Sequence, residues 1–574
     1  MTVRTARVLG ALVLAGCTAS GPSPTPAPET GKRVVAERGA VSSASAYASE
    51  AGVTMLRRGG NAIDAAVATA FAVGVVEPQM SGLGGGGSML IWLQDEGRAE
   101  YLDFYAAQPV APFRDAGPRR DPDLRIVAVP GKVAGLLAAH ERFGRLDRAT
   151  VMAPAIRLAE EGFPVNQILA RMIASDSAKL RPFDGFGLLF PDGPLVPGMT
   201  LRNPTLAESL RRVAGRGKAG FYRGPTARAV LHALREGGHP ASAADFAGYE
   251  PQWKRPLCSV YDGRVVLSAP PPQTGIQVLH SLELLEAHDL EALGLPTRSP
   301  EAFDVLTSAL RVGATVRRFN GDPRWVDVPA RGLASEAYAR ERARLVGTGR
   351  PPETVDGRSA AAFDALPYPE ACAAYDPWGG REGPDSGGDV ELDDAGETTH
   401  ISVVDAAGNA VALTQTNSSL FGSGAFAAGF FLNDSAYRFD RQELEGTAPA
   451  EWRTRTSTIA PTIVLEQGRA RMVVGAPGGG RIPTAIVQTM AYALDYGMDP
   501  MEALRMPRIF PDHRDRDVEL EGGFSAETLR QVRAMGYAPG ALSFGYARLY
   551  MIVRDGDRWI AVADPRHDGE PRGY

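Results

Sequence analysis

Thr398-Thr-His-Ile-Ser-Val-Val-Asp405 and, after Ala406-Ala-Gly-Asn409, Ala410-Val-Ala-Leu-Thr-Gln-Thr416 read as the two strands of one β-hairpin. Thr399–Val404 and Ala410–Thr416 are rich in β-branched residues, and Asp405-Ala-Ala-Gly-Asn409 supplies the turn. Pairing Val404 with Ala410 puts Thr398 directly opposite Thr416. Opposed side chains of an antiparallel pair have Cβ atoms about 4.5–5.5 Å apart, close enough for two hydroxyls to hydrogen-bond. A slip of one residue would separate them, so the chemistry depends on register.

A threonine hydroxyl needs a base before it becomes a nucleophile, and no Ser, His and Asp stand in triad order in this sequence. Cutting the chain before Thr398 would supply one, because the new α-amine has a pKa of about 7.7–8.0 and sits beside its own hydroxyl. Residues 345–397 suit such a cut. They are rich in Gly, Pro and acidic residues, and from Asp385 to Glu397 only Ser386, Val390, Leu392 and Ala395 are neither Gly nor acidic. This reads as an exposed, mobile segment running into a strand. Without the cut, Thr398 is an ordinary strand residue.

Upstream of the hairpin, Ala46 to Arg57 has helical periodicity and stops at Gly59-Gly60. Asn61 then opens an Ala-rich helix, Ala62 to Val76, whose small residues suit close packing. A glycine cluster, Ser81-Gly-Leu-Gly-Gly-Gly-Gly87, leads into a strand from Ser88 to Leu93. Residues 125–175 read as alternating short strands and helices, and Asp262-Gly263 between Cys258–Tyr261 and Arg264–Ser268 predicts a two-residue hairpin. Downstream, Arg469 to Val474 reads as a strand, followed by Gly478-Gly-Gly480 and a helix from about Ile482-Pro483. A glycine loop there exposes backbone N–H groups at a helix N-terminus, which suits a developing oxyanion. A phosphate cradle is set aside, because the loop holds neither Gly-Lys-[Ser/Thr] nor G-x-G-x-x-G.

The bulk numbers narrow the class. A composition 44% hydrophobic and 22% charged is that of a folded soluble chain, and length alone would suggest three or four domains. A net charge of −6 with no basic stripe argues against nucleic acid as a partner. The eight His are scattered and no His/Cys/Asp cluster has metal-ligand spacing, so neither a metal nor an organic cofactor is expected. Arg4, Arg7, the short apolar run Val8–Ala15 and Leu14-Ala-Gly-Cys17 read as an export signal, residues 1–17, that closes on a bacterial lipobox. Cys17 would then be lipidated and hold the chain to a membrane of the cell envelope, on the periplasmic side. Residues 18–33 read as a Pro-rich tether. Cys258 and Cys372 either pair or stay as thiols; the sequence leaves both open.

The hairpin, together with Gly408-Asn-Ala-Val411 and Phe421-Gly-Ser-Gly424, resembles the start of the small subunit of gamma-glutamyltranspeptidases. Gly59-Gly-Asn-Ala-Ile-Asp-Ala-Ala66, Leu83-Gly-Gly-Gly-Gly87, Val129-Pro-Gly131, Ala269-Pro-Pro-Pro272 and Gly475-Ala-Pro-Gly-Gly-Gly-Arg481 recur in the order of that family, so the resemblance covers nearly everything after residue 33. It implies an α+β chain with the four-layer αββα fold of N-terminal-nucleophile hydrolases. It further implies self-cleavage between Glu397 and Thr398, giving a large-subunit region (34–397) and a small-subunit region (398–574) within one intertwined catalytic domain. By the resemblance Thr398 is the nucleophile and Thr416 its hydroxyl partner. Gly478 and Gly479 hold the oxyanion, and Ser457 and Thr458 bind the substrate carboxylate. The implied activity is acyl transfer from an amide to water or to an amine.

The residues that recognise glutamate in that family are altered. The arginine that grips its α-carboxylate falls on Tyr105, after Asp103-Phe104, and the aspartate that holds its α-amine falls on Arg438. A glutamine three residues earlier falls on Ser435, and an asparagine near the partner threonine on Ser418, with Asn417 beside it able to substitute. A phenol cannot replace a bidentate guanidinium, and Arg438 repels an ammonium. The expected acyl group is therefore neutral or anionic, of the dicarboxylate type taken by glutaryl acylases, and simple gamma-glutamyl amides are expected to be poor substrates. The competing reading is an uncut, catalytically weak binding lipoprotein of the same fold.

Overall fold

The structure, a computed structural model, describes residues 31–108, 124–324, 326–352, 360–377, 397–436, 452, 454–512, 516–542 and 547–574. Cys17, residues 18–30 of the tether, the 385–396 stretch and Arg438 lie outside the described residues. The first strand takes in Arg33, and Lys32 donates to the carbonyls of His567 (2.5 Å) and Gly569 (2.6 Å), so the tether read from sequence ends before these residues.

Two seven-stranded sheets carry the chain. One orders its strands Arg572–Gly573, Ala40–Ser43, Glu397–Val404, Ala410–Ser418, Gly86–Leu93, Arg98–Asp103 and Gln252–Lys254. The other runs Arg33–Ala36, Arg558–Ala563, Tyr550–Asp555, Arg469–Gly475, Thr462–Glu466, Arg264–Ser268 and Leu257–Tyr261. Alternation along each strand sets the layers. Ile401, Val403, Val411 and Leu413 face the helices Ala46–Arg57 and Ala62–Val76. Val404, Ala410 and Ala412 meet Ile463, Val473 and Ile552 of the opposite sheet. The far face of that second sheet is covered by the helices Gly275–Leu285, Pro300–Ala314 and Ile482–Leu494. The result is the expected αββα order. Truncating one of these buried aliphatics to alanine costs about 2–5 kcal/mol.

The helix Ala62–Val76 is buried along its whole length, which its apolar circumference allows. Its start is fixed twice over. Asn61 accepts from the amides of Ile63 and Asp64 (3.0 Å each), and Asp64 returns a bond to the Asn61 amide (2.9 Å). Asp405 in the hairpin turn accepts from the Ala62 amide (2.9 Å), so the turn and the helix are locked together. The helix ends at Glu77, directly behind the hairpin.

Two readings change and one open question closes. Residues 125–175 are mostly helical (Lys132–Phe143, Arg148–Glu161, Gln167–Ser175), with a single two-residue strand at Phe163–Pro164. Glu397, read as the end of a mobile segment, begins a strand. Cys258 and Cys372 form a disulfide with Cα atoms 5.6 Å apart, tying the strand Leu257–Tyr261 to the turn Glu370–Tyr375. The Asp262-Gly263 hairpin forms as expected, with φ of 48° and 69°.

Candidate active site

The hairpin register matches the expectation from Val404↔Ala410 to Thr399↔Gln415 and then shifts, so the next pair is Glu397↔Ser418. Thr398 therefore faces both Thr416 and Asn417 across a β-bulge, instead of Thr416 alone. The consequence is chemical. The Thr416 hydroxyl donates to the carbonyl oxygen of Glu397, the carbonyl of the bond that precedes Thr398. It also accepts from the Ser418 amide at 2.7 Å, which orients it. The hydroxyl pairing drawn from an unbroken register gives way to a hydroxyl aimed at the backbone carbonyl. Thr398 itself is 4% exposed.

The glycine cluster is required by this arrangement. Gly86 pairs with Thr416, and a Cβ on Gly85 would lie 2.2 Å from the Thr416 carbonyl oxygen. Behind the hairpin, Thr399 donates to Glu77 at 2.8 Å. Glu77 is buried, and burial pushes its carboxyl up to about 8. Burial lowers the Lys132 ammonium to about 7, and its Nζ has no hydrogen-bond partner among the described residues. Between the sheets, His400 bonds Thr414 (2.8 Å) and Ser402 (3.1 Å), and burial holds its imidazole down at about 3, so it is neutral. Its ring lies where a Cβ of Gly475 would be, 2.3 Å from Cε1.

That contact brings the end of the strand Arg469–Gly475 beside the hairpin, and the glycine loop follows. Gly478 (φ 138°) and Gly479 (φ 57°) take backbone conformations that side chains disfavour. A short turn, Gly479–Arg481, then enters the helix Ile482–Leu494. Arg548 ties the loop to the hairpin. Its amide donates to the Pro477 carbonyl (3.1 Å), and its guanidinium bonds Glu397 at 3.0 Å. Arg548 thus links the glycine loop to the residue that opens the hairpin strand.

Three of the residues read above as replacing glutamate-binding ones, Tyr105, Ser418 and Ser435, come together. Tyr105 Oη lies 3.4 Å from Ser418 Oγ, and Ser418 Oγ lies 3.0 Å from Ser435 Oγ. Asn417 does not join them; its amide nitrogen donates to Met80 O (2.9 Å) and its side chain to Pro78 O (3.3 Å). Ser457 forms a bridge with Gln273, its amide donates to Pro272 (3.3 Å), and Thr274 donates to its carbonyl (2.7 Å). Gln273 in turn donates to Asp103 (3.2 Å), which accepts from the Tyr105 amide (3.0 Å), so the Ser457 segment and the Tyr105 segment are joined. Thr458 follows, half-buried.

Three residues escaped the reading of the sequence. Arg455 places Nη2 3.1 Å from Ser418 Oγ and 3.4 Å from Tyr105 Oη. A basic residue two positions before the Ser457-Thr458 pair was the available signal. Arg548 and Glu77 carried none, because their partners lie 151 and 322 residues away.

Known proteins share this layout. The gamma-glutamyltranspeptidase family profile matches residues 48–574. A glutathione hydrolase proenzyme of Escherichia coli K12 is 31% identical over a 604-residue alignment that spans 99% of each chain. An acylase ACY 1 proenzyme of Pseudomonas sp. strain V22 is 32% identical over 527 residues, 88% of each chain. The crystal structure of a cephalosporin acylase from Bacillus halodurans superposes with a TM-score of 0.81 at 24% identity, across 97% of this chain and 99% of that one, which speaks to the fold. With two facing sheets, a threonine hairpin and a glycine loop held against it, and relatives alike from end to end, the chain belongs to the gamma-glutamyltranspeptidase family and is an enzyme of the N-terminal-nucleophile hydrolase class.

Proposed function

We propose that the chain cuts itself between Glu397 and Thr398 and then works as an amide hydrolase or acyltransferase with Thr398 as nucleophile. The observation that carries this reading is the hydrogen bond from Thr416 to the Glu397 carbonyl. A donor on that oxygen polarises the carbonyl and stabilises the charge it gains on attack. The Thr398 oxygen adds to the Glu397 carbonyl carbon, the C–N bond breaks, and the hydroxyl proton ends on the Thr398 nitrogen. Water then hydrolyses the resulting ester, leaving the Glu397 carboxylate and a threonine that carries a free amine and a free hydroxyl.

In the cut enzyme the amine takes the proton of its own hydroxyl as that oxygen attacks a substrate amide. Gly478 and Gly479 offer backbone N–H groups to the tetrahedral oxyanion, and the departing amine takes the proton. Water or a second amine then removes the acyl group. Ser457 and Thr458 line the acyl site. Tyr105 stands where a glutamate-specific site needs an arginine, Arg438 where it needs an aspartate, and Ser418 and Ser435 where it needs longer amide side chains, which favours an acyl group without an α-ammonium. The Glutathione hydrolase and acylase names of the relatives cover both kinds of substrate, and this pocket favours the acylase side. Residues 1–17 serve as an export signal that ends at a lipidated Cys17, a role supported by Arg4, Arg7, the apolar run Val8–Ala15 and Leu14-Ala-Gly-Cys17. Loss of membrane association in Cys17→Ala tests it.

Denaturing electrophoresis with N-terminal sequencing tests the central claim. The expected result is two fragments, the smaller beginning at Thr398, with Thr398→Ala giving one uncut, inactive chain. An active wild-type chain that stays in one piece would refute it, and an inactive uncut one would favour the binding lipoprotein.

A further inference from the structure

Glu397 is held at both of its ends. The Thr416 hydroxyl donates to its backbone carbonyl oxygen, the carbonyl of the proposed cut, and Arg548 Nη2 pairs with its carboxylate at 3.0 Å. Counted from that carbonyl carbon through Cα, Cβ and Cγ to Cδ, Glu397 is itself a five-carbon acyl group that ends in a carboxylate. Both members of the pair are largely shielded from solvent. Arg548 spends its backbone amide on Pro477, the residue before Gly478, and its Nε has no hydrogen-bond partner among the described residues. Glu77, whose carboxyl feels the Arg548 charge, bonds Thr399 and is pushed up to about 8 by burial, so at neutral pH it keeps its proton and does not neutralise the guanidinium. The cut turns Glu397 into a chain end. A substrate that displaces this end meets a guanidinium already placed for a carboxylate.

Resting on the acyl-transfer reading above, we propose that Arg548 is the specificity-determining residue of the acyl site, that it binds the terminal carboxylate of a five-carbon acyl group, and that Glu397 occupies that place in the precursor. The same hydroxyl, that of Thr398, attacks both the chain's own amide and the substrate's. The span from the reacting carbonyl to the guanidinium is therefore set once, by the three carbons between the carbonyl and the carboxylate of Glu397. A planar guanidinium takes a carboxylate through two parallel N–H donors, which fixes direction as well as charge. Removing the carboxylate from a shielded guanidinium leaves it uncompensated, so the emptied site selects an anion. The substrate class is the monoamide of a dicarboxylic acid with three carbons between its two carbonyl carbons, bound with its amide carbonyl at Thr398 and its free carboxylate at Arg548. A gamma-glutamyl group has the same spacing, so discrimination against its ammonium falls to the replaced residues named above and not to Arg548.

The test measures processed wild type on succinyl, glutaryl, adipyl and pentanoyl p-nitroanilides, then Arg548→Met and Arg548→Lys once their own self-cleavage is complete. In wild type the glutaryl amide should have the highest kcat/KM. It should stand at least about tenfold above the pentanoyl amide, which carries a methyl in place of the carboxylate, and above the succinyl and adipyl amides, which put the carboxylate one carbon nearer or farther. Arg548→Met is expected to lower kcat/KM for the glutaryl amide roughly 10- to 100-fold, mainly through KM, and to cost the pentanoyl amide several-fold less. Arg548→Lys should recover part of the loss. Equal losses on the glutaryl and pentanoyl amides would make Arg548 merely structural and overturn the inference, as would a wild type that takes the succinyl or adipyl amide as well as the glutaryl one. If Arg548→Met stays uncut, inhibition of the wild type decides: glutaramate should bind at least about ten times more tightly than pentanamide, and equal inhibition overturns the inference. A cut, active enzyme indifferent to the terminal carboxylate defeats this inference alone. An uncut chain that hydrolyses no amide defeats the acyl-transfer reading beneath it.

Discussion

Arg548 Nη2 lies 3.0 Å from the Glu397 carboxylate, so the side chain just before the proposed cut is held by an ion pair whose members are 11% and 16% exposed. The same Arg548 holds the glycine loop through Pro477. Arg548 therefore connects the residue before the proposed cut with the loop proposed to supply the oxyanion donors. Removing one partner of a shielded pair leaves the other uncompensated, at a cost of about 3–5 kcal/mol where burial is complete and less here. Arg548→Met is expected to slow self-cleavage at least about tenfold, and adding Glu397→Gln should restore part of the rate. The uncut fraction on a gel against time measures both, and a rate within twofold of wild type for Arg548→Met would mean that this connection does not govern the cut.

Thr416 acts through its hydroxyl, and two substitutions separate that role from packing. Thr416→Val keeps the shape and loses the donor to the Glu397 carbonyl and the acceptor for the Ser418 amide. Losing one donor to a developing oxyanion costs about 3–4 kcal/mol, or roughly 10²–10³ in rate. Thr416→Ser should cleave within about tenfold of wild type. The half-time of fragment appearance checks this, and comparable rates for both variants would contradict it.

Local pattern made much of this legible. The helices Ala46–Arg57 and Ala62–Val76 and the Asp262-Gly263 hairpin form over the predicted residues, because periodicity, caps and turn residues act within a few positions. The threonine hairpin was readable to within one residue. Its bulge was not, since the shift at Thr398 accompanies contacts with Gly85, Gly86 and Glu77 that are hundreds of residues away in sequence. Arg455 shows the same limit. Its hydroxyl partner Tyr105 lies 350 residues upstream, and no local pattern joins the two. Residues 125–175 misled because short apolar runs bounded by Gly and Pro serve helices and strands alike.

Gly85 leaves no room for a side chain. A Cβ there would sit 2.2 Å from the Thr416 carbonyl oxygen and 2.7 Å from Asn417 Oδ1, so Gly85→Ala must push on the strand that carries Thr416. Overpacking of this kind costs about 1–3 kcal/mol. The variant should melt lower and cleave more slowly. Gly215→Ala is the control, because it lies in the helix Pro204–Arg216 with nothing within 4 Å of the added atom. It should be neutral or slightly stabilising. If Gly85→Ala cleaves and melts like Gly215→Ala, the close approach is not a constraint.

Glu77 predicts a pH dependence of stability whose direction follows from its environment. Burial raises its carboxyl to about 8, against a partial opposing effect of the Thr399 hydroxyl and of Arg548, while Asp568 and Glu397 add to the rise. The folded chain therefore keeps a proton that the unfolded chain releases above the ordinary glutamate range, and stability falls as pH rises through that window. The slope is at most about 1.4 kcal/mol per pH unit. Lys132 works the other way but later. Its ammonium is lowered to about 7, so stability gained from releasing that proton grows only above this value. His567, 3.8 Å from Glu77, is held neutral by burial with Arg548 and Lys32 nearby; only its unfolded imidazole titrates in this window, which raises stability with pH and is shared by wild type and variant. Between about pH 5 and 7 the Glu77 effect thus stands apart from the Lys132 effect. Glu77→Gln keeps an acceptor for Thr399 and removes the titrating proton. Melting curves across that range should show the stability of wild type relative to Glu77→Gln falling as pH rises, with the buried neutral histidines common to both and cancelling in the difference. Parallel curves would mean that Glu77 is already ionised in the folded chain, with Lys132 as its charged partner.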